Sequence, residues 1–576
     1  MITFLRASRE RSGGVSGTRW AVWAGLIAVA FGVGAVLRVA GALPVDALPP
    51  LHAHARLLVI PLIPAAVLGA AGVVALPIAA RRLRWPWSLA IAWAASVAWA
   101  VALQAPDGLS RPLTNRADYL AGLPAMGDDP LGWLRGFTTH LREYPTHVKG
   151  HPPLPMLILW ILRWTNLAGA GWAAAFVIAF GASSAAAIAI TVRAVAGEPT
   201  ARRALPFLAL SPTAIWVATS MDAVFLGASA WGVALLTRAA VQSGREGPRP
   251  PWGAIPLLWS RVVDGGDKGF HKLWITLGFV PKRASRARAA FGRRLAYPTR
   301  TGDAILSPRL SRTVKASGWT VAHVPDLGNP STLGILPILR ALPAPASSPA
   351  SRNRPAPDGP PGIGGRTAPG GPPIRPRTRL SPATVAGAFV AGLLVGSLPY
   401  LSYGLVTILA LPLAVLVLTR PPRTLVLTFG LGCLVVPVAF AFAGFLWWDG
   451  VVQTHAAWSA GAGAQRPYAY FLIGDLAVLA LVIGPAAAHA LPGLLRPPRR
   501  QGNAAARLGV LVGAVLLGVV ALDVSGVTRG EVERIWLPYA AWMTAGAAVH
   551  PAPARRMLLA QIVTALLIQA LVRSPW

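Results

Sequence analysis

Charge and cysteine are both scarce in this chain of 576 residues: 13% of the residues are charged, only 20 are Asp or Glu, and one is cysteine. Soluble domains carry about 25% charged residues, so the low figure, set beside 54% hydrophobic residues, excludes a soluble enzyme. The one cysteine, Cys433, sits inside an apolar run, which excludes a disulfide framework and a cysteine-based metal or redox centre. Acids are too few to balance 53 Lys and Arg, and the formal charge is +33. In a soluble chain that excess would suggest nucleic acid. In a membrane protein basic residues first report topology, and no nucleic-acid partner is expected here.

What the sequence has instead is apolar length. Runs of about 20 residues, the length that crosses a hydrocarbon core as one helix, recur along nearly the whole chain. The expected fold is all-α: a polytopic transmembrane bundle of about 13 spans, over 20–43, 57–80, 87–105, 172–192, 204–219, 223–236, 383–398, 401–419, 425–447, 470–491, 508–522, 535–549 and 557–571. The first run is too long for a cleaved signal and is expected to remain as an anchor.

If the Arg-rich start (Arg6, Arg9, Arg11, Arg19) is cytoplasmic, the cytoplasmic turns are strongly basic, with Arg81, Arg82, Arg202, Arg203, Arg499 and Arg500 among them. Outside 241–380 their only acids are Glu10 and Glu198, and every other acid falls on the outer face. The polar chemistry is therefore expected to face outward from the cytoplasmic membrane. This parity requires the stretch 154–167 not to cross, which its short length and internal Arg163 favour; it reads as an interfacial or re-entrant helix.

The organisation expected is an N-terminal transmembrane region over 1–240, a Pro/Arg-rich insertion over 241–380 and a C-terminal transmembrane region over 381–576. The insertion contains low-complexity Pro/Gly runs without helical or strand period, so a disordered cytoplasmic segment is the expectation. A basic tether to anionic lipids is the functional reading of it; a dispensable insertion in an ordinary interhelical turn is the blander and favoured one.

The loop 106–151 is the longest outer connection and the expected active-site segment. Its aromatics Tyr119, Trp133, Phe137 and Tyr144 alternate with charges, as in short amphipathic helices lying at the interface. A second crowd of charge, Asp523, Arg529, Glu531, Glu533 and Arg534, lies between two apolar runs late in the chain. Such charge is costly unless it lines a polar cavity or pairs internally.

In its pattern the chain resembles the GT-C superfamily of integral-membrane glycosyltransferases, which includes protein mannosyltransferases and lipid-linked aminoarabinose transferases. The resemblance rests on Asp118 with Tyr119 in the first large outer loop, on the "HPP" of His151, Pro152 and Pro153 where that loop returns to the membrane, and on "SPTAIWVATSMDAVF", with Ser211, Pro212 and the outward Asp222. It spans roughly residues 85 to 240. It implies transfer of a sugar from a polyprenyl-phosphate donor to an envelope glycan or protein acceptor on the outer face, with membrane lipids as surroundings.

Such a transfer needs a base for the acceptor hydroxyl and cations for the departing phosphate. Asp118 is the first candidate for base, against the plainer reading that it caps a helix beginning near Tyr119. Asp128 and Asp129 come second: adjacent carboxylates suit a divalent cation or a shared proton, and "GDDP" equally suits a turn. No cofactor is indicated beyond that possible cation. His147 and His151 are four apart, but Gly150 and the two prolines argue against a zinc helix, and no metal site is assigned. His147, Lys149 and His151 are expected as a basic patch for a lipid phosphate, or as a solvated loop at the head groups. Arg534 is expected to grip two phosphate oxygens, oriented by Glu531, with Asp222 facing the same site. The rival from another class is a transporter or lipid flippase without covalent chemistry, which would place ionisable residues near the middle of several spans.

Overall fold

The computed structural model describes residues 2–43, 48–245, 380–496, 502–551 and 554–575. Nine helices among the described residues are long and apolar enough to cross a membrane: Gly17–Val39, Ile60–Arg82, Trp85–Asp107, Ala170–Ala196, Asp222–Gly244, Pro382–Leu401, Arg423–Phe442, Tyr468–Leu494 and Asn503–Ser525. The described residues are almost wholly helical, as in a multi-pass membrane protein. The hydropathy window of Asp222–Gly244 is 78% buried by protein and that of Gly17–Val39 only 11%, so the former is a central helix and the latter a peripheral one.

The other four expected spans are short or broken helices. The stretch 204–219 ends its helix Glu198–Ala209 just before Ser211–Pro212 and resumes as the single turn Ala214–Val217. The stretch 401–419 opens as a 3₁₀ segment, Tyr403–Leu409, before Ala410–Thr419. The stretch 535–549 divides into Leu537–Thr544 and the 3₁₀ segment Ala545–Val549, and the last helix, Arg555–Leu571, has 17 residues. Helix Leu154–Trp164, with 11 residues, is only about 16 Å long, too short to cross. Asp222–Arg245 runs five residues into the expected insertion, and Ser381 caps Pro382–Leu401 by accepting a bond from the Thr384 amide. The insertion expected over 241–380 otherwise lies almost wholly outside the described residues.

Breaks in apolar helices strand backbone groups that lipid cannot satisfy. At Gly484, φ 75° and the following Pro485 interrupt Tyr468–Leu494. There the buried side chain of Gln561 bridges the gap: its Nε2 donates to the Ile483 carbonyl at 2.6 Å and its Oε1 accepts from the Ala486 amide at 3.1 Å. One amide thus repairs both strands of the break.

The loop between Trp85–Gln104 and Leu154–Trp164 is a string of one- and two-turn helices. Its aromatics were expected at an interface. Trp133, Phe137 and Tyr144 are buried instead, with the Phe137 and Tyr144 rings stacked at 5.5 Å and Phe445 edge-on to Phe137 at 5.7 Å. Burial of rings of this size favours folding, so the aromatic alternation records a small core that fixes the loop as a rigid layer.

Candidate active site

Four distant segments meet in one buried polar cluster. The first is the start of the 3₁₀ turn Tyr119–Gly122. Asn115 accepts the Ala117 amide on its side-chain oxygen and the Asp118 amide on its carbonyl, an Asx-type turn that aims the Asp118 carboxylate inward. Asp118 Oδ1 then accepts the Tyr119 amide at 2.6 Å. The capping role open to this residue is therefore filled.

The second segment is the turn Thr146–Lys149. The His147 amide donates to the Ala117 carbonyl at 2.8 Å, and its ring Nδ1 lies 3.0 Å from Asp118 Oδ2. Both side chains are buried. A carboxylate on Nδ1 fixes the orientation and tautomer of the ring. His151, buried at the end of the same turn, bonds through Nδ1 to the His147 carbonyl at 2.9 Å and contacts the rings of Tyr119 and Phe225. Burial pushes its pKa down to about 4 against the opposing field of Asp222, so the ring is neutral at pH 7.

The third and fourth segments supply an ion-pair chain. Asp222 begins Asp222–Arg245; its Oδ2 accepts from Ser220 Oγ at 3.0 Å and from Arg534 Nη1 at 3.3 Å. Arg534 Nη2 donates to Glu531 Oε2 at 2.8 Å, and Arg466 Nη2 meets Glu531 Oε1 at 3.3 Å. Burial opposes the charge on Glu531, but the Arg534 and Arg466 guanidinia outweigh it and hold its carboxyl at about 2. Burial likewise opposes the charge on Arg534, and Glu531 and Asp222 outweigh it, raising the guanidinium above its ordinary value. Between the two halves stands Tyr119, whose hydroxyl is pushed well above the usual range by burial and then by Asp222 and Asp118.

Backbone strain pins this chain. Glu531 adopts φ 62° and Gly530 φ 86°. A side chain at position 530 would press on Arg466 Nη1 and Phe471 Cε1, each 3.0 Å from a Cβ built there. The Gly530 amide donates to Asp475, whose carboxylate is fully buried inside Tyr468–Leu494.

Of the residues singled out in the sequence, Asp118, His147, His151, Asp222, Glu531 and Arg534 are thus brought together. Asp128 and Asp129 are exposed and stand apart: Asp129 caps Pro130–Gly136 through the Gly132 amide, and Asp128 pairs with Arg163. The turn chemistry of "GDDP" accounts for both. Lys149 is half-buried, with its carbonyl receiving Thr454 Oγ1, and His147 and His151 are turned inward. The expected basic patch is not formed, because two of its three members serve buried neighbours. Trp536 and Tyr539, which follow Arg534, are core residues. Among the described residues no group of three or more His, Cys, Asp or Glu is placed to hold a metal ion.

Sequence reasoning undervalued Arg466, Asp475 and Ser220. Asp475 had a usable signal, since an ionisable residue inside an apolar helix is costly unless it serves a partner. Ser220 had none. Compared with protein-family models, curated protein sequences and solved structures, the chain matches none.

Proposed function

We propose that this chain is an integral-membrane glycosyltransferase of about 13 spans that moves a sugar from a polyprenyl-phosphate donor to an envelope glycan or protein acceptor on the outer face of the cytoplasmic membrane. One observation carries the reading: Asp118, His147, His151, Asp222, Glu531 and Arg534 converge from segments hundreds of residues apart. Asp118, His151 and Asp222 are among the residues that carry the GT-C resemblance, and Glu531 and Arg534 belong to the late charge cluster. All of them lie on the side that the charge distribution assigns to the outside.

In this reading Asp118 and His147 act as a pair. The imidazole takes the proton of the acceptor hydroxyl while the Asp118 carboxylate steadies the resulting imidazolium through Nδ1. The acceptor oxygen bonds to the anomeric carbon as its bond to phosphate oxygen breaks, and the phosphate leaves with that electron pair. Arg534 receives the growing charge. Its shorter bond is to Glu531 and its longer one to Asp222, so the phosphate takes the place of Asp222 while Glu531 keeps the guanidinium in position.

The test is a comparison of envelope glycans between cells with and without the chain. Loss of one glycan is expected, restored by the wild type. Asp118→Asn, present at the wild-type level, should restore it poorly, in line with a fall in turnover of roughly 10² to 10⁴. Unchanged glycans with altered solute uptake would make the chain a transporter or flippase instead.

A further inference from the structure

A cavity of about 510 Å³ is lined by none of the Asp118, His147, His151, Asp222, Glu531 and Arg534 side chains and has its own chemistry. Its walls come from the end of Trp85–Gln104 and the turns after it, from 215–219, and from the paired strands His54–Ala55 and Val572–Arg573. The volume is that of a small-molecule pocket, roughly 300 to 1,000 Å³.

Three arginines line it, Arg56, Arg111 and Arg573, against one acid, Asp107. That acid is already committed. Asp107 Oδ1 holds Arg56 at 2.5 Å, Asp107 Oδ2 accepts from Gln569 Nε2 at 2.9 Å, and Arg56 also donates twice to the Gln569 carbonyl. Arg111 and Arg573 pair with no acid among the described residues, and both are exposed at the rim. Deeper in, Gln104 lines the cavity while only 4% exposed, and its amide makes no hydrogen bond among the described residues. An amide that lines a cavity without a protein partner is open to a ligand able both to accept from it and to donate to it. Trp216 and Ile568 add an apolar wall.

We propose that this cavity binds a sugar bearing a phosphate or a carboxylate. Two guanidinia at the rim take the oxyanion, since Arg pairs with such groups through parallel N–H bonds. The Gln104 amide, donor and acceptor at once, takes ring hydroxyls below, and Trp216 offers an apolar surface for the ring. The inference does not rest on glycosyl transfer: the readout is binding, and it stands or falls without any turnover.

The full chain in phosphatidylcholine nanodiscs is dialysed to equilibrium against labelled glucose 6-phosphate, glucuronate or glucose. Saturable binding of the two anions is expected, with glucose at least about tenfold weaker, because it lacks the charge-assisted contacts. Joint substitution of Arg111→Gln and Arg573→Gln should weaken anion binding by at least about tenfold and leave glucose unaffected. Gln104→Leu should weaken all three ligands. Arg163→Gln, which removes an equally exposed arginine elsewhere, should change nothing. Discs containing phosphatidylglycerol separate the sources: competition by that lipid assigns the oxyanion to a headgroup, and its absence assigns it to a soluble sugar. No saturable binding at millimolar anion, equal binding of glucose and glucose 6-phosphate, or an unchanged double variant would each overturn the proposal.

Discussion

The Asp118 cluster and the Arg111 cavity are both polar, yet they spend their charge in opposite ways. In the cluster each carboxylate is met: Asp118 by His147 and a backbone amide, Asp222 by Ser220 and Arg534, Glu531 by two arginines. In the cavity cations exceed acids, and two of the three arginines pair with none among the described residues. A closed network fixes geometry, because each member is held by the others and removing one strands the rest. An open set of cations fixes little and is available to something that arrives. The first arrangement suits chemistry that needs a preset orientation; the second suits capture.

The largest effect should come from breaking the closed network. Arg534→Ala leaves Asp222, buried, and Glu531, half-buried, without their shared cation, and stranding one side of a buried pair costs about 3–5 kcal/mol. Arg111→Gln, an equally complete loss of charge at an exposed site, should cost under about 0.5 kcal/mol. Thermal unfolding of the two variants in the same nanodiscs measures both. Similar midpoints would mean that the cluster is not a network in the sense described, and the contrast between the two regions would fail.

Most of the cluster was legible because ionisable residues at the ends of apolar runs are few and costly, so each one asks for a reason. Asp118, Asp222, Glu531 and Arg534 all stand out on that ground. At Asp128 and Asp129 that test competes with the turn reading of "GDDP", and the turn and the cap are what the fold uses. Span counting was legible where helices are continuous and less so at 204–219 and 535–549, where Pro, Gly and Ser break an apolar run without ending it. The cavity was not legible. It joins 54–56, 104–115, 215–219 and 568–575, and no local pattern marks residues whose only relation is that the fold makes them neighbours.

Acid should undo the cluster in two steps. His151 has its pKa lowered to about 4 from 6.5. Above pH 6.5 the ring is neutral folded or unfolded and contributes nothing. As pH falls from 6.5 to 4 the unfolded chain takes up a proton that the folded one refuses, and stability declines by roughly 3 kcal/mol. Glu531, lowered to about 2 from 4.5, contributes a further stabilisation of similar size that is fully present above pH 4.5 and lost as pH falls toward 2. Unfolding midpoints followed from pH 7 downward should therefore drop continuously. His151→Gln should flatten the upper part of that profile alone, and Glu531→Gln the lower part alone. If His151→Gln leaves the slope between pH 6.5 and 4 unchanged, the ring does not sit where burial excludes its charge.

A smaller change sharpens the comparison by loosening the network without removing any charge. Gly530 lies at φ 86°, where an L side chain is strained by roughly 1–3 kcal/mol. An added methyl group would also sit against Arg466 and Phe471. Gly530→Ala should cost about that much in stability, and the strain should fall on Arg466, whose Nη1 donates to the Arg529 carbonyl at 2.6 Å. Displacing Arg466 weakens its hold on Glu531 and so raises the Glu531 pKa from about 2. The lower acid transition should then move to higher pH, while the upper one, set by burial of His151 on other segments, stays in place. Two transitions shifting together would mean that the halves of the cluster are coupled more tightly than their hydrogen bonds indicate. A shift of the lower one alone would give Gly530 a positioning role for Arg466, and through Glu531 for Arg534, beyond mere stability.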